Sequence, residues 1–120
     1  MKKILIVDDH SDIRKLIRIT IGNAYEVLEA DDGRAALEII RNQQPSLIVL
    51  DIMMPGDMDG LQVLDAIRAD PKLAGIQVIM VSARGQLHDY QTGMSRGANA
   101  YLIKPFSPIQ LVNTIKDLLG

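Results

Sequence analysis

The chain contains no cysteine and no tryptophan, and its aromatic residues are three tyrosines and one phenylalanine. Without cysteine it forms no disulfide, no thiolate metal site and no cysteine nucleophile. It has no apolar run near the roughly 20 residues that a membrane-spanning helix needs. A formal net charge of −2 supplies no basic field for nucleic acid or an anionic membrane, so direct nucleic-acid binding and membrane attachment are not expected. No Gly-x-x-x-x-Gly-Lys loop occurs, which excludes the usual nucleoside triphosphatase cradle. The opening Met1-Lys-Lys3 leads into only four apolar residues, Ile4–Val7, and then into Asp8-Asp9 with no small-residue cleavage site. That is too short for a signal peptide and reads as a strand in a cytoplasmic protein.

What is present suits one domain over residues 1–120. Hydrophobic residues make up 48% and charged residues 23%, the balance of an ordinary globular domain. Short apolar blocks alternate with longer amphipathic stretches along the whole chain. The blocks Ile4–Val7, Tyr25–Ala30, Leu47–Leu50, Gln77–Val81 and Ala100–Ile103 predict strands. Four of them are continuously apolar or β-branched, as parallel strands covered on both faces are. The second alternates in its first half and reads as an edge.

Helices are predicted between them. Ser11 is a candidate N-cap before Ile13, Leu16 and Ile17, and Gly22 ends that run. Residues Gly33–Gln43 form a second helix stopped by Pro45. Leu61, Leu64 and Ile67 mark a third, closed by Asp70-Pro71. Ser107-Pro108 opens the last one, cap followed by N1 proline. A fourth, over residues 86–96, offers only Leu87, Tyr90 and Met94 as an apolar stripe, and Gly93 costs it about 1 kcal/mol against alanine. It is expected to be the most weakly docked helix. The pattern is an α/β (βα)5 fold, a doubly wound parallel sheet of five strands.

Polar residues collect where the strands end. Strand one ends in Asp8-Asp9, strand three in Asp51, strand four in Ser82 and strand five in Lys104. Ligands of open α/β sheets bind outside the carboxyl ends of the strands, where strand order reverses. With right-handed crossovers and the order 2-1-3-4-5, strands one and three are neighbours, so three carboxylates converge. Such a group repels itself and invites a hard divalent cation, and Mg2+ suits an all-oxygen site. Ser82 and Lys104 beside it complete the inventory for phosphoryl transfer to Asp51. Any one of these residues alone is ordinarily a cap or a solvated loop residue. Four strand ends carrying compatible chemistry together is what raises the reading above that.

These blocks, Ile4-Leu-Ile-Val-Asp-Asp9, Leu50-Asp-Ile-Met-Met-Pro-Gly56, Val81-Ser-Ala83 and Tyr101-Leu-Ile-Lys-Pro-Phe106, resemble the chemotaxis-type receiver domain of bacterial two-component response regulators. The resemblance spans the chain. It implies a flavodoxin-like fold and a phosphoacceptor, Asp51, that takes a phosphoryl group from a sensor histidine kinase or a phosphotransfer protein. It implies Mg2+, for which Mn2+ can substitute, held by Asp8, Asp9, Asp51 and the backbone carbonyl of Met53. Ser82 and Lys104 match the phosphoryl-binding residues, Tyr101 the aromatic that turns inward on activation, and Pro105 the proline that supports the lysine. The resemblance also implies a surface of helix four, strand five and helix five that changes its preference for an output domain or protein target, with phosphorylation-dependent homodimerisation as a further expectation. The domain would help catalyse its own phosphorylation and hydrolysis and act on no separate small substrate.

One departure concerns the loop after Asp51. Pro55-Gly-Asp-Met-Asp-Gly60 is one residue longer than the family commonly has, which is expected to alter access to the site without moving Asp51 or Met53. Arg84, two residues past Ser82, is the second expected modulator, and the loop at Met53 the first. Asp57 and Asp59 read as a loop residue and a helix cap. His10 reads as a loop residue and His88 as a surface one. A haloacid-dehalogenase type phosphatase needs an acid two residues after the nucleophile, and Met53 has no proton to give. A flavin carrier would find acids in this crevice, which repel a flavin phosphate.

Overall fold

Burial explains where the strands lie, because each apolar block can bury both faces only inside a covered parallel sheet. The computed structural model describes all residues but 84–86, and the side chains of residues 87–89 lie outside the description. The elements run β1 Lys3–Val7, α1 Ser11–Ile21, β2 Glu26–Ala30, α2 Gly33–Gln43, β3 Leu47–Asp51, α3 Gly60–Ala69, β4 Gln77–Ser82, α4 Leu87–Ser95, β5 Ala100–Ile103 and α5 Pro108–Leu119. The strands form one parallel sheet in the order β2-β1-β3-β4-β5. Alternate residues of each strand feed two separate cores. Leu5, Val7, Ile48, Leu50, Val78 and Met80 pack with α2 and α3. Ile4, Ile6, Leu47, Val49, Ile79 and Val81 pack with α1 and α5. β2, at the sheet edge, is only partly buried, as its alternating sequence predicts.

The helix ends follow local chemistry. Asp59 caps α3 in a reciprocal box with Gln62, and Ser107 caps α5 ahead of Pro108. The N-cap of α1 is His10 rather than Ser11. The reason lies in Asp8, whose carboxylate accepts the His10 N–H at 2.9 Å and holds residue 10 extended, so the helix begins at Ser11 itself. No helix of the described residues is long and apolar enough to cross a membrane.

Arg68 on α3 ties down the edge of the sheet opposite the strand ends that carry the polar residues. Its guanidinium donates to the carbonyls of Gly97 (2.9 Å), Ile76 (2.8 Å) and Ala74 (3.2 Å) and to Asn99 Oδ1 (2.8 Å). Asn99 Oδ1 also accepts the N–H of Val78. Gly97, at φ +104, lies so close that a Cβ there would meet Arg68 Nε at 3.0 Å. Arg96 adds a two-pronged ion pair to Asp65, which fastens the C-terminal end of α4 to α3.

Candidate functional site at the carboxyl ends of the strands

Strand register brings the polar ends together. Val7 pairs with Leu50, so Asp8 and Asp51 follow side by side, and Asp51 itself pairs with Val81 on β4. Ser82 pairs with Ile103, which places Lys104 next across the crevice. Asp8, Asp51 and Ser82 are 2%, 4% and 3% exposed, so their polar groups are withdrawn from bulk water. Burial of this kind demands partners.

Lys104 provides one. Its Nζ lies 2.7 Å from Asp8 Oδ2 and 3.6 Å from Asp51 Oδ2. His10 provides another, with Nδ1 at 3.0 Å from Asp8 Oδ1 and 3.3 Å from Asp9 Oδ1. Burial raises the Asp51 pKa to about 6, against the Lys104 ammonium that lowers it, and the charges of Asp8 and Asp9 raise it while the Met53 N–H lowers it. Hydrogen bonding to Asp8 raises the His10 pKa, with the charges of Asp9 and Asp8 acting in the same direction.

The donor set fits a divalent cation. One oxygen from each of Asp8, Asp9 and Asp51, together with a nitrogen of His10, all lie within 4.8 Å of one another. Asp9 Oδ1 is buried without a hydrogen bond among the described residues, although His10 Nδ1 stands near it. A carboxylate oxygen in that condition is one that a cation would satisfy. The Met53 side chain is 73% exposed, so any part it takes in the site belongs to its backbone.

The other predicted residues fall as follows. Tyr101 is half-buried on β5, its ring edge-on to Tyr90 of α4 with centroids 5.6 Å apart. The Lys104-Pro105 peptide bond is cis. Arg84 and the side chain of His88 lie outside the described residues.

The response regulator receiver domain model matches residues 4–116. The chain belongs to that family. It is 43% identical over 120 residues to the probable transcriptional regulator ycf27 of Porphyra purpurea, covering 98% of this chain and 47% of that protein. It is 39% identical over 119 residues to the phosphate regulon transcriptional regulatory protein PhoB of Pseudomonas aeruginosa, covering 98% and 52%. The chain thus spans about half the length of the curated relatives it matches. Among solved structures, the Vibrio cholerae chemotaxis protein CheY4 superposes with a TM-score of 0.91 at 32% identity, over 99% of both chains. A putative response regulator from Chloroflexus aurantiacus J-10-fl gives 0.93 at 33% identity, over 98% and 97%. The chain is therefore a response-regulator receiver with the flavodoxin-like order of strands, a module of two-component signalling rather than an enzyme of the usual kind.

Several residues that shape this receiver's site were not apparent from the sequence. Arg14 reaches back from α1 to the Asp8 carbonyl at 2.7 Å, while its Nε pairs with Glu29 of β2 at 3.0 Å. Arg18 grips the other oxygen of Glu29. Gly60 presses on the Asp51 backbone so closely that a Cβ there would overlap the Asp51 carbonyl. The Asp59-Gly60 pair, N-cap and first residue of α3, is the signal that marks this position. Asp57, in the loop after Asp51, pairs with Arg34 of α2 at 2.6 Å, and Met58 covers Gly33. His10, unremarkable in the sequence, stands inside the acid cluster because the helix cap and the carboxylates share one short turn.

Proposed function

We propose that residues 1–120 form one cytoplasmic receiver domain in which Asp51 accepts a phosphoryl group. The observation that carries this is the Lys104 ammonium, poised 3.6 Å from the buried Asp51 carboxylate and 2.7 Å from Asp8. An Asp51 oxygen attacks the phosphorus of a phosphohistidine on a sensor kinase or phosphotransfer protein. The P–O bond forms as the P–N bond breaks, and the electron pair returns to the donor imidazole. Attack by water later releases inorganic phosphate and restores the carboxylate.

The residues of this chain take separate parts. Asp8, Asp9, Asp51 and the Met53 carbonyl would hold Mg2+, or Mn2+ in its place, and the bound ion would neutralise charge on the phosphoryl oxygens. Lys104 holds a second positive charge where a phosphoryl oxygen comes to lie, and Ser82 offers a hydroxyl to another. The domain thereby assists its own phosphorylation and hydrolysis. Tyr101 and Lys104, both on or next to β5, relay the change to the α4-β5-α5 surface. That surface then controls an output domain or a separate protein, and pairing of two copies through it is the expected form of any homodimer. The regulatory relatives named above, about twice as long as this chain, support a switch that acts through another segment or partner.

Intact mass spectrometry after incubation with acetyl phosphate and Mg2+ tests the reading. Addition of one phosphoryl group is expected, lost in Asp51→Asn and abolished by a chelator. An unmodified wild-type chain under both acetyl phosphate and phosphoramidate would leave only a binding module.

A further inference from the structure

We propose that His10 is an imidazole ligand of the cation site, so that this receiver discriminates in favour of late first-row divalent ions of the Co2+, Ni2+ and Zn2+ class. The inference rests on the cation-binding part of the function proposed above. Ligands adjacent on an octahedron with bonds of about 2.1 Å lie roughly 3 Å from each other. His10 Nδ1 stands 3.0 Å from Asp8 Oδ1 and 3.3 Å from Asp9 Oδ1, which is that spacing on two edges at once. Asp51 belongs to the same cluster, since one donor atom from each of Asp8, Asp9, His10 and Asp51 lies within 4.8 Å of the others, and opposite vertices of the same octahedron are roughly 4.2 Å apart. A small contraction brings all four onto one ion.

The local backbone holds this arrangement. The His10 N–H donates to the same Asp8 oxygen at 2.9 Å, which fixes residue 10 beside the carboxylate. Asp8 Oδ2 is turned the other way, to Lys104. Asp9 Oδ1, buried and without a hydrogen bond among the described residues, completes the mouth that the ring overlooks. The ring itself is 61% exposed, so its nitrogen gives up little packing to reach an ion.

Chemistry sets the direction. Mg2+ prefers oxygen donors and keeps its waters, so an imidazole adds little to its binding. Late first-row ions prefer imidazole nitrogen and gain strongly from it. A different role for His10 fits the same distances, namely a ring N–H that neutralises the acids and must leave when any ion enters. The two roles separate cleanly, since a displaced ring hinders all divalent ions alike and a ligand ring distinguishes among them.

The experiment measures dissociation constants for Mg2+, Mn2+, Co2+ and Ni2+ at one pH. It compares the wild type with His10→Ala and with His10→Asn, whose amide can keep the hydrogen bond but not the imidazole. The ratio of Ni2+ to Mg2+ affinity is expected to fall by about tenfold or more in both variants, with Mg2+ affinity nearly unchanged and Mn2+ the least affected of the transition ions. In the Co2+-loaded wild type, a paramagnetically shifted imidazole proton resonance is expected, absent from both variants. A ratio unchanged in the variants, or affinities for all four ions rising together, would overturn the assignment of His10. If Mg2+ binds the wild type but not Asp9→Asn while that ratio ignores His10, the cation site stands and only the ligand role of His10 falls. No divalent binding by the wild type would overturn both.

Discussion

Lys104 bonds to Asp8 at 2.7 Å and stands 3.6 Å from Asp51, so one ammonium offsets two buried carboxylates. It occupies the cluster as a tethered cation beside the place where a free one would sit. Removing it therefore acts on two quantities in opposite directions. Divalent affinity should rise several-fold in Lys104→Met, because the carboxylates lose a competing positive charge. Phosphoryl transfer from acetyl phosphate at saturating Mg2+ should slow by roughly 10²-fold, since a preplaced positive charge is lost from the transition state. Titration calorimetry and time-resolved intact mass spectrometry read the two effects separately. A parallel fall in both would show that Lys104 acts only on the fold of the crevice.

Asp51 carries a pH signature. Burial raises its pKa to about 6 from an ordinary 3.8. Between those values the folded chain holds a proton that the unfolded chain has released, so this residue's contribution to stability falls as pH rises through that window. Asp51→Asn removes the titration. The variant should match the wild type near pH 3.5 and exceed it by about 1–3 kcal/mol above pH 6.5. Urea melts of both proteins across pH 3.5–7.5, without metal, check the shape of the difference. A constant difference at every pH would contradict it.

Glu29 behaves in the opposite sense. Burial tends to raise its pKa, and the hydrogen bonds and charges of Arg18 and Arg14 outweigh that and lower it from 4.5. Its stabilising contribution is present above pH 4.5 and is lost as pH falls through the lowered folded value. Glu29→Gln should cost about 0.5–1 kcal/mol at pH 7, as partly exposed ion pairs do, and progressively less below pH 4. Because Arg14 also holds the Asp8 carbonyl, the same variant should weaken Mg2+ binding measurably at pH 7.

Gly60 leaves no room for a side chain. Its Cβ would overlap the Asp51 carbonyl and sit 2.8 Å from Ile52 Cα, both of them backbone. Gly60→Ala must displace the end of β3 and should destabilise the fold by about 2 kcal/mol or more. Phosphorylation should fail to reach the wild-type extent even under conditions where the variant is fully folded by circular dichroism.

Most of the fold was legible because parallel strands covered on both faces leave continuous apolar blocks, and helices between them leave their stripes and caps. Asp59 and Ser107 announce their caps by type and by neighbours such as Gln62 and Pro108. Ser11 misled by one position, since the tertiary bond from the His10 N–H to Asp8 outranks a local side-chain preference. The gathering of Asp8, Asp9, Asp51, Ser82 and Lys104 was also legible, because strand ends share a location once strand order is known. Arg14, Arg34 and His10 were not, because a long side chain on a helix, or a ring at a helix cap, shows its direction only when its partner does. Gly60 was hidden for another reason, being defined by the space that is missing around it.

Arg68 carries a lesson for altering this molecule. Four acceptors on two separate connections, at residues 74, 76, 97 and 99, converge on one planar group. A lysine would bring the same charge to the same place, yet its single nitrogen cannot span those acceptors. Shape therefore fixes this residue more than sign. Recharging the edge of the sheet remote from the acids, to improve solubility or to build a new interface, can proceed at every exposed neighbour and has to leave position 68 an arginine.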